Sequence, residues 1–343
     1  MPETERTGGT KKEDSMPSVV LRVLGVRSES MLIHIEPLTE KAARLPEWLR
    51  KPVRNVDADH ELKKTLRTRG LHTVCEEARC PNRNECFARG AATFMILGDV
   101  CSRSCGFCSV KTGRGLPTES LIDEPAQVAE AAAQLKLSYV VITSVNRDEL
   151  SDGGAAHFAE TIRAVRRRLP GAKIEVLTPD FKGNLRALHT VLDASPDTFN
   201  HNVETVPSLY RKVRPQADYQ QSLDVLREAR KHAVNTLTKS GFMVGLGERR
   251  DEVNQLLADL RAHEVDVVTI GQYLQPTRAH LPVEEYVHPD VFIEYKEFGE
   301  HLGFRAVFSG PLVRSSFMAE TVSDIAAGED RSRGLTIDPH SHI

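Results

Sequence analysis

The sequence has no cysteine outside one short stretch, and its other absences narrow the class of protein further. No apolar run is long enough to cross a bilayer. The N-terminal segment MPETERTGGTKKEDSM lacks the apolar stretch of a signal peptide, and its acidic residues argue against an organellar transit peptide. The net charge of −3 gives no basic surface of the kind that binds nucleic acid. We therefore expect a cytoplasmic protein that binds neither membranes nor nucleic acid.

The six cysteines themselves are the most informative feature of the chain. They form two groups of three: Cys75, Cys80 and Cys86, then Cys101, Cys105 and Cys108. In a reducing compartment, clustered cysteines indicate metal ligands rather than disulfides. Three thiolates are one fewer than a closed structural zinc site needs, whereas an iron–sulfur cube held by three thiolates keeps one iron free. We expect the chemistry at such an iron.

From residue 93 onward, β-branched apolar runs alternate with amphipathic segments of helix length. Strands are predicted at 93–98, 139–144, 173–178, 198–203, 236–247, 266–275 and, at the end, 305–310. Helices are predicted at 124–136, 155–169, 183–193, 219–233, 250–263 and 289–302. This alternation predicts an α/β fold with a parallel sheet and right-handed crossovers. We expect a partial, open (β/α)6 barrel of the TIM type, with both cysteine groups at its carboxyl mouth.

The same pattern suggests four parts of the chain. Residues 1–40 form a variable tail, and residues 41–92 form an N-terminal extension that carries the first cysteine group. Residues 93–310 form the barrel. Residues 311–343 form a C-terminal segment that closes it.

The second cysteine group, in GDVCSRSCGFCSV, resembles the signature of the radical S-adenosylmethionine (SAM) superfamily. The likeness lies in the spacing, in the position after the first strand, and in Phe107 before the last cysteine. It implies a 4Fe–4S cluster whose free iron binds the amino and carboxylate groups of SAM, with Phe107 beside the adenine. It also implies cleavage of SAM to a 5′-deoxyadenosyl radical. From the residues alone, the alternative is a zinc knuckle that takes its fourth ligand from elsewhere.

A longer set of motifs resembles the lipoyl synthase family, from about residue 40 to about residue 320. These motifs include LHTVCEEARCPNRNEC, YVVITSVNRDELSDGGAAHF, FNHNVETV, TKSGFMVGLGE and SGPLVRSSF. The resemblance implies a second, auxiliary 4Fe–4S cluster held by Cys75, Cys80, Cys86 and Ser316, which is consumed as the sulfur source. From the residues alone, Ser315 and Ser316 also fit an ordinary loop pair that makes local backbone hydrogen bonds.

The reaction that the resemblance implies is the insertion of two sulfur atoms at C6 and C8 of an octanoyl chain. That chain is carried on a lysine of a lipoyl carrier domain, either a dehydrogenase E2 subunit or the glycine cleavage H protein. Two SAM molecules are used per lipoyl group, and a ferredoxin or flavodoxin supplies the electrons. The catalytic residues would be Cys101, Cys105, Cys108 and Ser316.

Further residues are expected to contact SAM. Asn202 and Glu204 alternate in HNVET and so share one face, where they either grip SAM or brace a loop. Arg214 either pairs with the SAM carboxylate through a bidentate fork or is a surface arginine. Ser144, at the end of a predicted strand, lies where loops line the barrel mouth.

Three residues depart from the family pattern. Phe317 stands in place of a tyrosine, Phe87 in place of a tryptophan and Asn146 in place of an aspartate. None of them is a cluster ligand. Two alternatives to lipoyl synthesis are a methylthiotransferase, which would add a basic RNA-binding domain, and a non-catalytic zinc scaffold.

Overall fold

A mostly parallel eight-stranded sheet is the centre of the part of the chain that the structure describes. The structure is a computed structural model that describes residues 45–50, 66, 69–77, 80, 82, 92–316, 319–320, 324 and 328. For Cys75 and Glu77 only the backbone is described. Residues 1–40, Cys86, Phe87 and Phe317 lie outside the described residues.

The strand order follows the chain almost throughout. The strands are β1 (His72–Thr73), β2 (Thr93–Ile96), β3 (Val100–Cys101), β4 (Lys111–Thr112), β5 (Tyr139–Ser144), β6 (Lys173–Leu177), β7 (Thr198–Asn200), β8 (Leu237–Val244), β9 (Val267–Gln272) and β10 (Ala306–Ser309). The main sheet has the order β1-β2-β5-β6-β7-β8-β9-β10, and β3 pairs with β4 apart from it. Within the main sheet only β1 runs antiparallel to its neighbour.

Helices connect the parallel strands. They are α1 (Val74–Glu77), α2 (Glu124–Gln134), α3 (Ala155–Arg168), α4 (Leu185–Leu192), α5 (Tyr210–Val213), α6 (Tyr219–His232), α7 (Arg250–Ala262) and α8 (Pro289–Leu302). Side chains fix where some of them begin: Asn184 caps α4 and Asp218 caps α6, each by accepting a backbone N–H. The predicted alternation of strands and helices is confirmed, with ends that differ by a few residues. The strand ends differ most at β7, β8 and β9, each of which ends three residues before the predicted 203, 247 and 275.

The sheet is open, as the sequence predicts. In the described residues the edge strands are β1, which pairs with β2, and β10, which pairs with β9. The two faces of β5 show how the sheet is covered. Val140 and Ile142 pack in the large core that includes the helices, whereas Tyr139 and Val141 face the interior of the barrel.

The segment after β10 enters that interior. Val313 packs against Val267 and Phe308, which belong to β9 and β10. Ala319 packs on Tyr139 and Val141, and Ser138 beside them donates a hydrogen bond to Glu320 at 2.8 Å. The chain therefore passes across the inside of the barrel rather than over its outer surface.

Candidate active site

One cavity of about 650 Å³ lies inside the barrel, and every candidate residue with a described side chain lines it. These residues are Cys80, Cys101, Cys105, Phe107, Cys108, Ser144, Asn202, Glu204, Arg214 and Ser316. The structure thus brings together parts of the chain that the sequence keeps more than two hundred residues apart. The side chain of Cys75 and the whole of Cys86 lie outside the described residues.

The second cysteine group is held by backbone hydrogen bonds at its base. Cys101 ends β3, and its carbonyl accepts the N–H of Gly113 at 2.9 Å. Its sulfur accepts the backbone N–H groups of Arg103 and Asn146, each at 3.4 Å. A cysteine binds iron through its thiolate sulfur, and these two N–H groups fix the position of that atom in the loop.

Close packing explains why the loop of the second cysteine group has a glycine at position 106. A Cβ at this position would lie 2.8 Å from two side-chain atoms of Leu281. The backbone N–H of Gly106 donates to Val213 at 2.9 Å, and its carbonyl accepts from Leu281 at 3.0 Å. Phe107 then packs in an apolar group with Tyr273 and Leu246 at the cavity wall.

Burial favours the neutral thiols in the absence of metal. It raises the pKa of Cys105 and raises the pKa of Cys108 to about 12. Iron binding must therefore displace protons from these thiols. Among the described residues, no three His, Cys, Asp or Glu side chains lie close enough to hold a single metal ion. A multi-iron cluster binds each thiolate through a different iron.

A buried arginine anchors the same loop to the neighbouring strand ends. Arg103 lies between Cys101 and Cys105, and its guanidinium contacts Asp148 at 2.7 and 3.0 Å and Asp180 at 2.8 and 2.6 Å. Burial alone would raise the pKa of Asp180, but Arg103 holds it well below its usual range. The pair is therefore ionised at neutral pH and fixes the loop against the ends of β5 and β6.

Along the cavity wall, several buried polar atoms have no protein partner. They are Ser144 Oγ, Asn146 Oδ1, Thr178 Oγ1, His201 Nε2 and Arg214 Nε. Four of them lie at or just beyond the carboxyl ends of three adjacent strands, β5, β6 and β7, and Arg214 directly follows α5. Because buried polar groups are normally hydrogen-bonded, this row fits a ligand that has many donors and acceptors. A nucleoside joined to an amino acid, as in SAM, is such a ligand.

Asn202, Glu204 and Arg214 form one connected group. Asn202 donates from Nδ2 to Glu204 at 3.1 Å, and Arg214 donates from Nη1 to the carbonyl of Asn202 at 3.0 Å. Glu204 has a φ of 67°, which turns the chain after β7 so that its carboxylate meets Asn202. Burial raises the pKa of Glu204, and the charge of Arg214 opposes that rise. Arg214 is only 8% exposed, so the surface-arginine alternative is wrong.

The serine pair near the C-terminus also contacts this group. Ser315 donates its hydroxyl to Asn202 Oδ1 at 2.8 Å, so this serine makes a long-range bond rather than a local backbone one. Ser316 lines the cavity beside it. Arg314 lies close to Cys80: burial lowers the pKa of Arg314, and the Cys80 thiol acts in the opposite direction.

Comparisons with known proteins agree with this geometry. A sequence model described as the radical SAM superfamily matches residues 95–260, and one described as the N-terminal domain of lipoyl synthase of the radical SAM family matches residues 34–80. The lipoyl synthase of Rubrobacter xylanophilus is 57% identical over 84% of this chain and 90% of its own length. That of Caldicellulosiruptor bescii is 55% identical over 82% of this chain and 96% of its own length.

The chain belongs to the lipoyl synthase family. The predicted family, enzyme class and function in lipoyl synthesis are thereby confirmed, which decides against a methylthiotransferase or a zinc scaffold. Membership of the superfamily implies a 4Fe–4S cluster and SAM, and membership of the family implies a protein-bound octanoyl substrate and a reductant. None of the described helices is long and apolar enough to span a membrane.

A solved structure supports the fold as well. HydG, a maturase of the FeFe hydrogenase, matches with a TM-score of 0.51 and 13% identity, over 79% of this chain and 71% of that one. At that identity the likeness concerns the fold alone, and it agrees with an open, mostly parallel sheet.

Sequence reasoning missed several residues of this lipoyl synthase family site. Arg103, Thr178 and His201 line the cavity but carry no motif of their own, and Asn82 joins the first cysteine group to the C-terminal segment. A usable signal was the position of Thr178 and His201, which lie in the carboxyl-terminal halves of the predicted strands 173–178 and 198–203. Gly245 lies close to other parts of the protein, since a Cβ there would meet Gln272 and the backbone of Glu285.

Proposed function

We propose that this chain holds two 4Fe–4S clusters and inserts sulfur at C6 and C8 of an octanoyl group on a lysine of a lipoyl carrier domain. The carrier is a dehydrogenase E2 subunit or the glycine cleavage H protein. A ferredoxin or flavodoxin reduces the enzyme, and the reaction takes place in the cytoplasm. The division of the chain into 1–40, 41–92, 93–310 and 311–343 follows the same assignment.

One observation carries the proposal. Cys80 of the first cysteine group, all three cysteines of the second group and Ser316 line a single cavity of about 650 Å³. Two separate structural metal sites would have no reason to share one cavity with Asn202, Glu204 and Arg214. A reaction that moves sulfur from one cluster to a carbon activated at the other needs this arrangement.

In this proposal Cys101, Cys105 and Cys108 hold the cluster that binds SAM. Phe107 packs beside the adenine, and Arg214 directs its unpartnered Nε toward the SAM carboxylate. Asn202, Glu204 and Ser144 take the remaining hydrogen bonds. When bound, the SAM cluster and two SAM molecules supply the radicals that remove one hydrogen from C6 and one from C8, and the auxiliary cluster supplies the two sulfur atoms that replace them.

Cys75, Cys80, Cys86 and Ser316 hold the auxiliary cluster. A serine oxygen is a harder and weaker partner for iron than a thiolate, so it suits a cluster that is dismantled. Arg314 lies close to Cys80, one of these ligands. Apolar walls from Met95, Val141 and Phe242 line the rest of the cavity. They exclude water from the reacting carbons and suit an alkyl chain.

The test is anaerobic reconstitution with iron and sulfide, followed by incubation with SAM, a reductant and an octanoyl-lysine peptide. We expect about eight irons per chain, a mass gain of two sulfur atoms in the peptide, and two molecules of 5′-deoxyadenosine per product. Four irons with SAM cleavage but no sulfur gain would overturn the auxiliary cluster and its role.

Replacing the proposed serine ligand distinguishes the role of the SAM-binding cluster from that of the auxiliary cluster. Ser316→Ala should retain SAM cleavage within about threefold but reduce sulfur insertion at least tenfold, because even the loss of a group that only supports a metal ligand typically costs about 10–100-fold in metal affinity or activity. The measurement is 5′-deoxyadenosine and sulfur product in one reaction. Loss of SAM cleavage with retained sulfur transfer would contradict the assignment of roles.

A further inference from the structure

The segment 312–316 connects the first cysteine group with the strand end that holds Asn202. Asn82, which lies between Cys80 and Cys86 in the sequence, donates from Nδ2 to the carbonyl of Leu312 at 2.7 Å and is 1% exposed. Three residues later, Ser315 donates to Asn202 Oδ1 at 2.8 Å. Ser316 is the next residue. The short segment is therefore fixed to both regions immediately before the proposed ligand.

Two glycines on adjacent strands make room for this segment. Gly271 of β9 would place a Cβ against the backbone carbonyl of Val313, and 3.1 Å from Arg314 Nη1. Gly241 of β8 would place a Cβ 2.8 Å from Ser315 Oγ and 3.0 Å from Asn202 Oδ1. Any other residue at these positions would displace the segment, so the two strands are shaped to receive it.

The hydrogen bonds of Asn202 have a definite direction. Its NH₂ group donates to Glu204 and its amide oxygen accepts from Ser315. Arg214 donates to the backbone carbonyl of Asn202 and holds that residue in place. Ser315, Asn202 and Glu204 thus form one chain of hydrogen bonds from the serine segment to the proposed SAM contacts.

We propose that Ser315 is a positioning residue that holds the serine ligand of the auxiliary cluster in register with the SAM-binding strand end. The inference rests on the proposed function. Sulfur must reach a carbon while that carbon is activated, and a displacement of about 1 Å between reacting groups costs on the order of a hundredfold in rate. Ser315 fixes that distance by joining the segment that carries Ser316 to Asn202.

The direct test is Ser315→Ala in the reconstituted enzyme. We expect the full iron content and SAM affinity within about threefold of the original. The number of 5′-deoxyadenosine molecules formed per sulfur inserted should rise about fivefold, which corresponds to the loss of one ordinary hydrogen bond. A second readout without turnover is the rate at which a chelator removes auxiliary iron, which should rise because the segment is held less firmly.

Controls separate positioning from a general structural effect. Ser315→Thr keeps the hydroxyl donor and should restore the ratio of 5′-deoxyadenosine to sulfur. Ser120→Ala removes an exposed hydroxyl that donates only to Pro117, and it should change neither readout. An unchanged ratio and an unchanged rate of iron loss in Ser315→Ala would overturn the inference.

The glycines give an independent test of the same segment. Gly271→Ala should accelerate the loss of auxiliary iron because the added Cβ pushes on Val313. Gly171→Ala is the matched control, since no atom lies within 4 Å of the added Cβ. Equal rates in the two variants would contradict the inference that β8 and β9 leave room for this segment.

The failure of the inference can be told apart from the failure of the proposed function. If the unaltered enzyme inserts no sulfur, the proposed function fails. If it inserts sulfur and these variants behave like it, only the inference fails.

Discussion

Buried polar side chains inside the barrel differ in their hydrogen-bond partners between the amino and carboxyl ends of the strands. Toward the amino ends, Lys239 Nζ contacts both oxygens of Glu175 at 3.0 and 3.1 Å, and the Tyr139 hydroxyl donates to the same carboxylate at 2.8 Å. At the carboxyl ends, Thr178 and His201 each leave a buried polar atom without a protein partner. Both sets are buried within one sheet.

We attribute the difference to two roles: the paired groups specify the fold, and the unpaired atoms belong to the proposed contacts with SAM. A buried ion pair contributes little net stability, but removing one partner leaves an uncompensated charge. An unpartnered polar atom costs free energy in the ligand-free protein and gains a hydrogen bond when a ligand arrives. Replacements toward the amino ends should therefore change folding stability, and replacements toward the carboxyl ends should change SAM binding.

The largest expected effect is at the buried ion pair. Lys239→Met leaves the Glu175 carboxylate buried without its cation, and both side chains are at most 1% exposed. We expect a loss of about 3–5 kcal/mol in the free energy of unfolding. Urea unfolding of the anaerobic, reconstituted protein measures it.

The control for this prediction is Lys231→Met, which removes an exposed lysine from the end of α6. It should change the free energy of unfolding by less than about 0.5 kcal/mol. If Lys239→Met changed the free energy of unfolding as little as this control, the buried ion pair would not stabilise the fold. The proposed role of the paired groups toward the amino ends would then be wrong.

Much of the fold could be predicted because its signals are local. The β-branched run at 139–144 has the same bounds as β5, and α8 begins and ends where the pattern places it. β7 ends at Asn200, and Glu204 pairs again with β8 only as an isolated bridge to Phe242. No local pattern predicts this break, since it coincides with the positive φ of Glu204.

Residues of the candidate site could be predicted only where they belong to a sequence motif or lie at the end of a predicted strand. The cysteine spacing identified the second group, and strand ends identified Ser144. Arg103 could not be found in this way, because its partners Asp148 and Asp180 come from two other loops. The link between Ser315 and Asn202 spans more than a hundred residues, and it depends on the path of the C-terminal segment through the barrel.

A smaller effect is expected from His201 and depends on pH. Burial lowers the pKa of His201 to about 4, with the charge of Arg214 adding to the shift. The unfolded chain takes up a proton below about pH 6.5 and the folded protein does not, so stability falls as pH falls through this window. Between pH 8 and 5.5 this loss is about 1.4 kcal/mol.

His201→Gln should remove that loss, because glutamine does not titrate. The measurement is the difference in free energy of unfolding between the variant and the original protein at pH 8 and at pH 5.5. The same replacement at exposed His301 serves as the reference. A difference between His201→Gln and the original protein that does not change with pH would show that the imidazole is not held neutral at the cavity wall.

The smallest expected effect is the sharpest test of the comparison. Ser144→Ala removes a buried hydroxyl that has no protein partner, so the free energy of unfolding should change by less than about 0.5 kcal/mol. SAM binding should weaken about fivefold, because one hydrogen bond to the ligand is lost. Ser222→Ala is the reverse control: its buried hydroxyl donates to the Asp218 carbonyl at 2.9 Å. That variant should lose stability and keep SAM affinity, and the opposite outcome in either variant would break the distinction between paired and unpaired groups.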